Sequence, residues 1–111
     1  MFRNILRINI NNELDIVLAY KRAMQLSERL GVALANQTKF ATAVSEICRN
    51  VVEYVGSGNI QFNYIEEGGT NYLEAIISDR GRGIGNLDLI LQQSERYGYG
   101  STRGMGIINS K

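Results

Sequence analysis

The spacing of apolar residues switches from a helical to a strand period near Gly56, and that change limits the fold more than any other feature. Leu14, Val17, Leu18, Met24, Leu26 and Leu30 recur at roughly helical spacing, and Gly31 is a natural stop. A second helical pattern starts near Asn36 or Thr38, with those residues as capping groups, and runs to Val55. Its stripe reads Phe40, Val44, Ile47, Cys48, Val51 and Val55, and Gly56-Ser57-Gly58 ends it. Beyond that point the period becomes two. Ile60, Phe62 and Tyr64 alternate with polar neighbours, Glu66-Glu67-Gly68-Gly69 is a turn, and Tyr72 to Ser78 returns as a more apolar, central strand. An opening strand over Phe2 to Ile10 ends at Asn11-Asn12. Leu87 to Gln93 reads as a short helix and Gly104 to Asn109 as the start of another, with loops at Gly81–Gly85 and Ser94–Arg103. The order predicts one α+β domain: a two-layer α/β sandwich with helices on one face of a sheet. A chain of 111 residues can bury one such core and not two.

Charge and residue usage remove several classes of function. Twelve Lys and Arg against eleven Asp and Glu give a net charge of +1, which supports neither a nucleic-acid nor a membrane-surface role. No run is long and apolar enough to span a membrane, and the N-terminus has no signal-peptide core. The single Cys48 forms no internal disulfide and reads as a small buried hydrophobe, so a reducing, cytoplasmic setting is expected. There is no histidine. Histidine-dependent triads, imidazole zinc sites and autophosphorylation on an internal histidine are excluded.

Three segments could carry chemistry. Glu46, Asn50 and Glu53 stand at i, i+4 and i+7, on one helix face opposite the apolar stripe. By itself this is most simply a solvated surface, and Arg49 beside it reads the same way. A carboxamide at Asn50 would also suit a hard cation that keeps its waters and bridges phosphates, with the Glu46 carboxylate one turn away to polarise a hydroxyl. Asp79 follows a strand and precedes Gly81, Gly83 and Ile84; a capped turn is the plain alternative. The dinucleotide fingerprint fails because Asn86 stands at the third glycine position, and no Gly-Lys-Ser or Gly-Lys-Thr occurs. Ser101, Thr102, Arg103, Gly104, Met105 and Gly106 would make an anion site if they opened a helix.

Glu46-x-x-x-Asn50, then Asp79-x-Gly81-x-Gly83-Ile84, then Gly104-Met105-Gly106-Ile107 resembles the N, G1 and G2 boxes of the GHKL ATPase/kinase superfamily. Val44 to Asn50, followed by Tyr54, Gly56, Gly58 and Ile60, looks most like its RsbT-like, anti-sigma serine/threonine switch kinases. The resemblance implies a Bergerat fold with a mixed, mostly antiparallel sheet, binding ATP and Mg²⁺. Asp79 would accept from the adenine amine, while Gly81, Gly83 and Ile84 let the backbone approach the nucleoside. Asn50 would hold Mg²⁺ and Glu46 would be the catalytic base. Residues 82–103 would form a lid, and Gly104, Met105 and Gly106 would give amides to the phosphates, helped by Ser101 or Thr102. The implied partner is a STAS-domain anti-anti-sigma or antagonist protein, with a PPM-type phosphatase or a sigma factor as a further partner and a homodimer as a further assembly. Members of that family continue past the second glycine box, so a C-terminally incomplete domain lacking its last strands is expected. Two alternatives stand: a non-catalytic nucleotide-gated binding module, and the ATP-binding portion of a larger sensor histidine kinase.

Overall fold

The computed structural model describes residues 2–79, 86–93 and 105–109. In chain order these form β1 (Phe2–Ile10), α1 (Glu13–Leu30), α2 (Leu34–Tyr54), β2 (Gly58–Glu67), β3 (Thr70–Asp79), β4 (Asn86–Gln92) and β5 (Met105–Asn109). The strands make one sheet in the order β1-β2-β3-β4-β5. Every pairing among the described residues is antiparallel, the major part of the mixed, mostly antiparallel sheet expected from the resemblance.

Local chemistry fixes the helix ends. The Asn12 Oδ1 accepts from the Asp15 amide at 3.1 Å, and the Asp15 carboxylate accepts from the Asn11 amide at 2.8 Å. These two bonds satisfy orphan donors where β1 gives way to α1. Gly31 closes α1 with φ of 92°, in the left-handed region that favours glycine. Only three residues then separate the helices, so α2 begins earlier than its sequence pattern suggests. Ala33 is its N-cap and makes no side-chain cap bond; Asn36 and Gln37 lie buried within the first turn, not ahead of it. The Gln37 amide instead donates to the Val32 carbonyl at 3.0 Å.

The core lies between the helix pair and one face of the sheet. Cross-strand rows supply that face: Ile8, Ile60 and Ile77; Phe62, Ala75 and Leu89; Tyr64, Leu73 and Leu91. Phe40, Val44, Cys48 and Val51 of α2 meet them, as the stripe predicts. On α1 the buried face keeps Leu26 and Leu30 of the expected stripe but turns away from it in the first half of the helix. Ile16, Ala19, Ala23, Leu26 and Leu30 face inward, whereas Leu14 is 78 % exposed and Val17 and Leu18 also face out. Ala19 and Ala23 allow close approach, which Leu14 and Leu18 on that face would not.

The helices expected at Leu87–Gln93 and from Gly104 onward are strands β4 and β5. Leu89 and Leu91 are fully buried on the helix-covered face of the sheet. Pairing with β3 rewards that alternation more than a two-turn helix could reward its propensity.

Candidate functional site

Asp79 is the last residue of β3, the middle strand, and lies opposite Gly58, the first residue of β2. Because side chains alternate along a strand, Asp79 is on the same face as buried Ile77, the face that the helices cover. Gly58 joins this strand end to α2. A Cβ there would run into the Ser78 carbonyl oxygen, sit 2.8 Å from the Val51 Cγ1 of α2 and 3.1 Å from the Asp79 Cα. Three backbones or side chains therefore converge on one missing methyl. In the sequence Gly58 stands out as part of the helix stop and of the RsbT-like motif; a glycine at the head of a strand pattern is also a sign of close approach.

Asn50 immediately precedes Val51, and Glu46 lies one turn earlier, about 6 Å along the axis. Both are exposed, and neither makes a side-chain hydrogen bond among the described residues. The carboxylate and the carboxamide thus stand ready on the outer face of α2 near the Asp79 strand end. Arg49, between them in sequence, is already engaged. Its Nη1 lies 2.6 Å from the Glu13 Oε1, tying α2 to the first turn of α1. That hydrogen bond, and the Glu13 charge, raise the guanidinium's pKa further. Cys48, buried beneath the same helix, has its thiol pushed up to about 12 by desolvation, which makes it inert.

Among the described residues no cluster of three or more acidic or cysteine side chains could hold a metal by itself. A cation at Asn50 would need water and phosphate oxygens for most of its ligands. That set suits Mg²⁺, which dehydrates reluctantly.

The remaining expected site residues divide into two groups. Gly81, Gly83, Ile84, Ser101, Thr102 and Gly104 lie outside the described residues. Met105 and Gly106 pair with Leu91 and Ile90, and Leu91 in turn pairs with Leu73. They stand about 20 Å along the sheet from Asp79, at ~3.3 Å per residue. The structure brings Asp79 and the α2 face to one end and leaves Met105 and Gly106 toward the other. The expected lid over 82–103 is interrupted as well, because its middle is the buried strand β4.

No helix among the described residues is long and apolar enough to cross a membrane. No protein-family model matches the chain, and no solved structure matches it significantly. Among curated proteins it is similar to the serine/threonine-protein kinase RsbT of Bacillus subtilis (strain 168), 29 % identical over 99 residues, which cover 89 % of this chain and 71 % of that protein. The chain is thus a distant relative of a serine/threonine kinase, similar along most of its length.

Proposed function

We propose that this protein is an ATP-binding serine/threonine kinase of the anti-sigma switch type, with a Bergerat-type fold, acting on a STAS-domain antagonist protein. One observation carries the reading: Asp79 and the Glu46–Asn50 face come to the same end of the molecule, joined through Gly58. The likeness to a serine/threonine kinase supports the reaction class. In this proposal Asp79 accepts a hydrogen bond from the adenine amine. Asn50 gives its carboxamide oxygen to Mg²⁺, which neutralises charge on the phosphates. Glu46 takes the proton from the attacking hydroxyl as its oxygen bonds to the γ-phosphorus, the bond from that phosphorus to the bridging oxygen breaks, and ADP leaves. Little covalent chemistry is asked of the protein; position and charge supply the rate.

A second reading is favoured by the placement of Met105 and Gly106. With that pair held in β5, the phosphates lack the amide cradle that the resemblance implies, and the protein would act as a nucleotide-gated binder without transfer. Labelled-phosphate transfer to a purified STAS-domain partner separates the two. Transfer is expected, and Glu46→Ala should lower its rate at least hundredfold while calorimetric ATP affinity holds. Asp79→Asn should weaken ATP binding by about ten- to hundredfold, the cost of on the order of 1.5–3 kcal/mol for a lost hydrogen bond to a charged group. Partner capture with ATP bound and no transfer would select the second reading. An ATP affinity indifferent to Asp79→Asn would reject both.

A further inference from the structure

The end of the sheet away from Asp79, where β2 turns into β3, holds a cavity of about 300 Å³ beside the end of α1. Leu30 and the ring of Tyr64 make its apolar wall, and Ile65 borders it along the strand. Two guanidiniums border it, Arg3 from β1 and Arg29 from the last turn of α1. Neither is ion-paired among the described residues. A helix C-terminus would normally repel an anion. Here part of that end is covered: the Gly31 amide donates to the Glu28 oxygen at 3.0 Å and the Gln93 side-chain amide to the Leu30 oxygen at 2.8 Å, while the Tyr64 hydroxyl donates to the Leu26 oxygen one turn back at 3.0 Å. Gln93 is itself held, accepting from the Asn71 amide at 2.9 Å. Among the described residues, the cationic donors without a side-chain hydrogen bond at this cavity are the two arginines, and apolar surface lies between them.

We propose that this cavity binds a small monocarboxylate with an apolar body, its carboxylate between Arg3 and Arg29 and its body against Leu30 and the Tyr64 ring. Arginine meets carboxylates in a planar, paired geometry. Glu66 also lines the cavity, and a carboxylate there disfavours the second negative charge of a phosphate dianion. The volume is that of roughly ten water-sized groups, enough for a phenyl or branched aliphatic acid. This site is independent of the nucleotide reading.

The test is titration of the full chain with 3-phenylpropionate, followed by backbone amide shifts. Saturable shifts are expected at Leu30, Ile65 and Asn71, with Asp79 unmoved. The neutral 3-phenylpropanamide should bind at least tenfold more weakly, and inorganic phosphate should not displace the acid. Arg3→Gln and Arg29→Gln should each weaken binding at least fivefold. Both side chains are exposed, and Arg29→Lys, which keeps the charge, should recover part of the loss. Equal affinity for acid and amide, displacement by phosphate at equal concentration, or no saturable shift at those three amides would overturn the proposal.

Discussion

Gly58 is the position where the smallest change has the largest structural reach. Its missing side chain is what lets the start of β2, the end of β3 and the last turns of α2 close on one another. An added methyl meets the Ser78 carbonyl and the Asp79 Cα, which are backbone and cannot swing aside. Gly58→Ala should therefore cost about 2–3 kcal/mol in urea unfolding, at the upper end for overpacking. It should also displace Asp79, so ATP affinity in calorimetry should fall although no side chain assigned to the nucleotide has changed. Retained affinity in a destabilised variant would show that the strand end is not held in place by this contact. Arg49 teaches the opposite lesson. It stands between Glu46 and Asn50 in the helix, yet its partner is Glu13, 36 residues away, so its role is to join the two helices.

At the scale of elements, β5 decides how the proposed nucleotide site could be completed. Paired with Leu91 and Ile90, the Met105 and Gly106 amides are remote from Asp79, and they would reach a triphosphate there only after leaving β4. Hydrogen exchange should therefore change across Met105–Asn109 on adding Mg-ATP, while β1 exchanges as before. Unchanged exchange in β5 would assign the phosphates to other groups. The elements also show how far the sequence could be read. The opening strand, both helices, the β2–β3 hairpin and the location of Asp79 at a strand end were legible, because each has a local period and a glycine or asparagine to end it. The packing face of α1 was not. Ala19, Ala23 and Ser27 are buried there without a strong apolar signal, while Leu14, Val17 and Leu18 gave one and are exposed. β4 was misread because leucine favours helices, and the pull of β3 is non-local. The register that carries Gly106 away from Asp79, and the cavity between Arg3 and Arg29, depend on pairings that no short segment records.

Across the whole molecule, the two faces of the sheet are treated differently. One is sealed by the helices; the other carries a polar network centred on Asn63, which is fully buried. Asn63 accepts from the Asn4 and Gln61 amides at 3.0 and 3.1 Å and donates to the Glu74 carboxyl at 3.0 Å; Arg7 donates to Gln61 at 2.9 Å. Burial above all, with the hydrogen-bonding Asp88 carboxylate beside it, raises the Glu74 pKa above 4.5, and the Asn63 bond only partly opposes this. The folded protein thus holds that proton more tightly than the unfolded chain. The stability it brings is complete below the ordinary carboxylate range and is lost as pH rises through the raised value. Glu74→Gln keeps the acceptor for Asn63 and cannot ionise. Its melting temperature should exceed the parent's at pH 7 to 8, with the difference vanishing below about pH 4.5. A constant difference at all pH values would mean that Glu74 acts by packing and not by charge. The insertion of both helices between β1 and β2 has a temporal side too. During translation Phe2–Ile10 must wait for Gly58–Glu67 to leave the ribosome before the strand finds its neighbour. Leu6, Ile8 and Ile10 lack that partner through the interval, which makes this stretch a target for a nascent-chain chaperone.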